Sequence, residues 1–285
     1  MKNDERQEAS NINELIKRIN LGAFDVVKQS LTLIKSNCVL IFFLMLFYYL
    51  IQFAVTYIIL NLHYNDLGAV INKLVVSLQS PNDNQETNLV LYPFIIASLG
   101  GKIVTAPLLF GLSFIFLRLN LKQKMHFKDI FNGFSYLMVS LTLVFFTSLI
   151  ESFSQVIPII GSIINFYLMM VLSLSMFFLV TFKISPVEAI KYSIKGVNTN
   201  FMKVFSIYLI NILICIGLFI VFSMVSSTNS YLFAILAILY FIFTVSLFIS
   251  SQSIIFKEII NNNDLQETEN SVLNQHNKKD DLFDA

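Results

Sequence analysis

Six stretches of this chain, about Cys38 to Leu60, Val90 to Leu117, Tyr136 to Ile157, Ile159 to Phe182, Phe201 to Val225 and Tyr231 to Phe256, are long, apolar and almost free of charge. A hydrocarbon core about 30 Å thick is crossed by roughly 20 helical residues rising 1.5 Å each, so every stretch predicts a membrane span. Barrel strands are excluded, because they are about ten residues long and alternate in polarity. The run FFLMLFYYLIQFAVTYIIL at 42–60 does not alternate. The chain is 56% apolar and 13% charged, whereas soluble domains are about 45–50% apolar and about 25% charged. The expected fold is therefore all-α, a polytopic membrane protein with six transmembrane helices. The short connectors VIPIIGS at 156–162 and SSTNS at 226–230 predict tight antiparallel hairpins.

Orientation follows from Lys and Arg, which concentrate on the cytoplasmic side. With the N-terminus inside, all of the 19 basic residues except Lys73 and Lys102 fall on that side. Both termini are thus expected in the cytoplasm. The N-terminal 37 residues lack the basic region, apolar core and cleavage site of a signal peptide, so the first apolar run reads as a retained anchor. The expected division is a polar cytoplasmic segment at 1–22, a membrane domain at 23–257 and a disordered cytoplasmic tail at 258–285. Residues 1–10 and 262–285 carry no apolar face long enough to dock.

Between the fourth and fifth runs stands SPVEAIKYSIKGVNTN, longer and more structured than a minimal connector. Val187, Ile190, Ile194, Val197 and Phe201 are spaced 3, 4, 3 and 4, which places them on one helix face. Ser185 and Glu188 form a capping-box pattern, and Pro186 occupies the first helical position. Lys191 and Lys195 take the polar side, so the helix is expected to lie flat at the cytoplasmic interface. Phe24, Val27, Leu31 and Ile34 repeat this spacing before the first run, and Phe127, Ile130, Phe134 and Leu137 before the third. The small residues Ser30, Gly133 and Ser193 occupy one equivalent position. Three units are therefore expected, each an interfacial elbow helix, near 23–36, 126–136 and 186–198, followed by an antiparallel helix pair. Residues 61–89 form an insertion in the first unit, with helical spacing of Leu67, Ile71, Leu74 and Leu78.

The segments APLLFGLSFIFLRLNLKQKMHFKDIFNGF, VIPIIGSIINF and SPVEAIKYSIKGVNTNFMKVF carry a resemblance over about residues 20–257. They resemble an uncharacterised family of bacterial six-helix integral membrane proteins and are similar to the membrane domain of bacterial glycerophosphodiester phosphodiesterases. The resemblance implies the architecture, a bacterial cytoplasmic membrane and a lipid-related setting. The phosphodiesterase chemistry of those proteins resides in a soluble domain that nothing here matches.

Chemical motifs are lacking. There is no HExxH, and GLS at 111–113 lacks the second Gly and the histidine base of a nucleophile elbow. SLGGKIVT at 98–105 lacks the first Gly of a phosphate loop. Cys38 and Cys215 have no CxxC partner, and His63, His126 and His276 fall in three separate polar segments, so neither a metal nor a cofactor is expected, and no catalysis. A net charge of +1 excludes a nucleic-acid partner, which needs a concentrated basic surface. The expected partner is the lipid bilayer, with a protein partner at the elbow helices as a further reading.

The polar residues inside the spans are the candidate site: Lys102, Glu151, Gln155, Asn165 and Asn211. Lys102 lies about 24 Å and Glu151 about 22 Å above the cytoplasmic ends of consecutive helices at 1.5 Å per residue. At that shared depth Lys102 either snorkels to the headgroups or pairs with Glu151. Asn165 and Asn211 read as interhelical hydrogen bonders or as substrate contacts. Pro93, Gly100, Gly101 and Pro107 interrupt the second run as in helices that line substrate sites. Two functions follow: a transport or lipid-handling membrane component with a polar cavity between the second and third spans, or a non-transporting scaffold or accessory subunit binding a cytoplasmic partner. A core packed solid with apolar side chains argues against transport.

Overall fold

The computed structural model describes residues 16–63, 68, 96–155, 160–182, 184–226 and 230–260. The terminal stretches 1–10 and 262–285, the insertion helix at Leu67, Ile71, Leu74 and Leu78, Pro93 and most of the two hairpin connectors lie outside these residues.

Every long element among the described residues is helical: α1 (Ala23–Ser36), α2 (Cys38–His63), α3 (Ile96–Val104), α4 (Ala106–Asn120), the 3₁₀ helix η1 (Phe127–Tyr136), α5 (Leu137–Gln155), α6 (Ile160–Leu172), α7 (Ser175–Phe182), α8 (Pro186–Thr199), α9 (Phe201–Ser226) and α10 (Ser230–Ile259). Five helices are long and apolar enough to cross a membrane, six when the bent pair α3–α4 counts as one span. The chain is thus an all-α protein of membrane-spanning type, since a helix satisfies its backbone polar groups internally where lipid offers none.

The bend between α3 and α4 is 55° and falls at Thr105. Pro107 cannot donate a backbone N–H to the preceding turn, and the Thr105 hydroxyl bonds back to the Gly101 carbonyl at 2.8 Å, a pairing that bends helices. Gly100 and Gly101 bring α3 close to α2. A Cβ on Gly100 would lie 2.6 Å from Ile59 Cδ1, and one on Gly101 2.5 Å from Thr56 Oγ1.

Burial separates central from peripheral helices. Along α4 and α7 most side chains are buried, and Phe177 stacks on Phe256 of α10 at 5.6 Å while Phe178 meets the same ring edge-on at 5.0 Å. Aromatic pairs at these separations add about 0.5–1.5 kcal/mol beyond area burial. Asn120 Nδ2 donates to the Ser253 carbonyl at 3.2 Å, tying α4 to α10. Helices α2, α5 and α9 instead expose Phe43, Leu50, Phe53, Met138, Leu213 and Phe219. Such a continuous apolar exterior belongs against lipid.

The three short helices share one packing rule. Helices α1 and α8 each have 14 residues and nearly the same ends, with N-cap (φ, ψ) of −70°, 154° at Gly22 and −66°, 153° at Ser185, and C-cap values of −123°, 26° at Asn37 and −119°, 21° at Asn200. The capping box is formed: Glu188 N donates to Ser185 Oγ at 3.3 Å, and Ser185 N to Glu188 Oε2 at 3.2 Å. Ser30 of α1 meets Ser251 of α10, with the two hydroxyls 3.0 Å apart. Ser193 of α8 donates to the Val171 carbonyl of α6 at 2.5 Å. Gly133 of η1 lies against the Pro107 carbonyl of α4. The small residue at the equivalent position is buried in all three, where it lets one helix close on another.

Two expectations for these helices change. Residues 127–136 form a 3₁₀ rather than an α-helix. With three residues per turn, Ile130 and Gly133 fall on one edge, and both are buried against α4. The α-type spacing of Phe127, Phe134 and Leu137 instead leaves those side chains exposed. Second, η1 and α8 run back along their partners instead of lying flat across the ends. Ile130 sits at Gly111 and Gly133 at Pro107; Tyr192 meets Phe178, and Asn198 meets Tyr167. The close approach at the small residue draws each helix alongside its neighbour.

Residues 16–21 form an extended strap unforeseen from the sequence. Ile16 pairs with Ile260, Lys17 N donates to the Ile259 carbonyl at 3.0 Å, and Ile19 is buried. Asn200 holds the strap from both sides: its Oδ1 accepts from Ile19 N at 2.7 Å, and its Nδ2 donates to the Lys17 carbonyl at 3.1 Å. Lys203 Nζ adds a hydrogen bond to the Ile19 carbonyl.

Candidate functional site

The candidate polar residues divide by position. Lys102 is half-buried on α3, and its carbonyl receives a 3.4 Å contact from the Thr105 hydroxyl. Glu151 and Gln155 belong to the last turns of α5, but their side chains lie outside the described residues, and so does any pairing with Lys102. Asn165 is half-buried on α6, and its Oδ1 has no hydrogen-bond partner. No hydrogen bond joins it to Asn211.

Asn211 is fully buried on α9 and forms part of a relay between three helices. Its Nδ2 donates to Ser251 Oγ at 3.0 Å, and that hydroxyl lies 3.0 Å from Ser30 Oγ. Its Oδ1 remains without a partner. One turn away, Gln252 Nε2 donates to the Tyr208 hydroxyl at 3.0 Å. The S-S-Q-S segment at 250–253 therefore gives α10 a polar edge against α1, α4 and α9. Ser250 also donates to the Ser30 carbonyl at 3.3 Å. Apart from Asn211 Oδ1 these groups bond to one another inside packed protein, which makes this a joint between helices.

Among the described residues the contacts between α4, α7, α9 and α10 are packed with aromatic rings, while the outer ends of the second and third spans, where a polar cavity is expected, lie outside the described residues. Phe110, Phe116, Phe177, Phe178, Tyr208 and Phe256 are all buried among α4, α7, α9 and α10. Ser113, the serine of GLS, donates to the Leu109 carbonyl at 3.0 Å and approaches Met176 Sδ at 3.8 Å, while Gly111 serves close packing. Among the described residues no three His, Cys, Asp or Glu side chains converge as metal ligands.

One open space among the described residues lies at the side of the bundle. A groove of about 580 Å³ separates the start of α2 from α9 and α10. Cys38, Val39, Phe42 and Phe43 form one wall, Leu218 and Phe222 the second, and Leu239, Ile242 and Phe243 the third, with Ile34 of α1 at one end. The volume is within the roughly 300–1,000 Å³ of ligand pockets. Its lining is apolar except for Ser246, whose hydroxyl is turned to the Ile242 carbonyl at 2.7 Å, and for the Cys38 thiol. Val39, Phe43 and Leu239 are also exposed on the bundle exterior, so the groove opens sideways. Sequence spacing could not reveal it, because its walls come from the first, fifth and sixth spans. Comparison with protein-family models, with curated proteins and with solved structures finds no match to this chain.

Proposed function

We propose that this chain is a multi-pass component of a bacterial cytoplasmic membrane that handles lipid laterally, with both termini in the cytoplasm. The observation that carries the reading is the apolar groove between α2, α9 and α10, open on the side that faces hydrocarbon. A chain of CH₂ groups entering it exchanges one apolar surrounding for another while gaining close contact with aromatic walls. The aromatic packing of α4, α7, α9 and α10 favours lateral access over a conduit between these helices. The architecture proposed is three units, each a short helix folded back along a neighbour and followed by an antiparallel helix pair. The exposed apolar edges Phe24 and Leu31, Phe127 and Phe134, and Val187 and Ile194 fall at matching positions, which supports contact with acyl chains along one edge of each short helix. The resemblance to bacterial six-helix membrane proteins and to phosphodiesterase membrane domains fits the same lipid setting.

The competing reading is a non-transporting scaffold or accessory subunit that binds a cytoplasmic partner through the elbow helices, and the same aromatic packing favours it equally. Native mass spectrometry of protein released from mild detergent separates the two. Retained lipid that is lost on filling the groove with Val39→Trp supports lipid handling. Equal lipid retention by both proteins leaves the scaffold.

A further inference from the structure

We propose that the groove holds one anionic phospholipid, with an acyl chain between α2, α9 and α10 and its phosphate on Lys28 and Lys35 of α1. The inference rests on the lipid-handling reading and adds the identity of the headgroup. Ile34, at the groove's end, is adjacent in sequence to Lys35, and Cys38 stands three residues further on. Lys28 and Lys35 are seven residues apart, which sets them on one face of α1 about 10 Å apart along the axis. Both are exposed, and between them Leu31 exposes an apolar side chain on the way to the groove.

The polarity runs in the right direction. Helix α1 starts beside the strap, where Ile16 pairs with Ile260, and finishes at Ser36 where the groove begins. Lys28 is thus nearer the aqueous end and Lys35 at the groove's mouth, in the order phosphate then acyl chain. Asp25 lies one turn before Lys28, on the side away from the groove. Each lysine near an anionic surface is worth about fivefold in affinity.

The chain contains no tryptophan, so Leu239→Trp on the groove wall is a clean fluorescent reporter, and Met138→Trp on exposed α5 is its control. The full-length protein is reconstituted in vesicles of phosphatidylcholine with a rising fraction of phosphatidylglycerol, one or the other brominated in its acyl chains. Brominated phosphatidylglycerol is expected to quench Leu239→Trp well beyond its mole fraction. Lys28→Gln with Lys35→Gln should abolish that preference, and Lys28→Arg with Lys35→Arg should retain it. Equal quenching by both lipids, still stronger than at Met138→Trp, overturns the headgroup assignment and leaves the lipid groove standing. Quenching no stronger than at Met138→Trp overturns the groove as a lipid site. Retained preference in the double Gln variant overturns the role of the two lysines.

Discussion

Gly111 of α4 and Gly133 of η1 face each other with no room for a side chain on either. A Cβ at Gly133 would collide with the Pro107 carbonyl oxygen and stand 2.6 Å from Gly111 N, and one at Gly111 would collide with the Ile130 carbonyl. Both obstacles are backbone, which cannot swing aside as a side-chain tip can. Gly133→Ala and Gly111→Ala should each destabilise by about 3 kcal/mol, the upper end of the usual overpacking range. Thermal unfolding in detergent reads this directly; unchanged melting would mean that the helices can part freely.

Gly217 gives the opposite outcome. A Cβ there meets nothing within 4 Å, and alanine is favoured over glycine in a helix interior by about 1 kcal/mol. Gly217→Ala should therefore leave melting unchanged or raise it slightly.

The relay from Ser30 through Ser251 to Asn211 should behave as one unit. Asn211→Ala and Ser251→Ala are each expected to cost about 0.6–2 kcal/mol, the scale of interhelical hydrogen bonds in membranes. The double variant should cost less than the sum, because each substitution removes the same contact. Strict additivity in a double-mutant cycle would show that the two side chains act separately.

Truncation should separate the ends of the N-terminal segment. Removing residues 1–10, or residues 262–285, is expected to leave insertion and stability intact. Removing residues 1–21 should destabilise the protein, since it strips buried Ile19 and the backbone groups held by Asn200. Ile19→Ala alone should cost about 2–5 kcal/mol. Recovery and melting of the three proteins decide the matter.

Reporter fusions check the proposed sidedness. A phosphatase active only outside the cytoplasm should be silent when fused after Ile260 and active when inserted in the SSTNS connector. The reverse pattern would invert the topology drawn from the lysines and arginines.

The sequence made legible whatever is local. Spans follow from apolar length, the Ser185–Glu188 capping box from a four-residue pattern, and the matching positions of Ser30, Gly133 and Ser193 from helical spacing. The strap was hidden because the partner of Ile19, Asn200, is 181 residues away, and nothing near Ile19 announces it. The groove was hidden for the same reason. The 3₁₀ winding of η1 was misread because Phe127, Ile130, Phe134 and Leu137 fit an α-helix, while the approach of α4 at Gly133 selects the tighter edge. Asn211 reads from the sequence as an amide well inside the fifth span, but its neighbours Ser251 and Ser30 sit on helices that spacing cannot bring together.

The pairing of Ile16 with Ile260 gives the chain a direction in time. Helix α1 docks on α10, and Ser30 and its partner Ser251 are 221 residues apart. At ribosomal speeds of about 5–20 residues per second, roughly 10–45 s pass between the synthesis of one and of the other. Throughout that interval α1 has been made and its seat has not. Helix α1, made early, is thus among the last to find its place, and a protein truncated before α10 would leave the ribosome as an unclosed clasp, its serine edge open to whatever monitors incomplete membrane proteins.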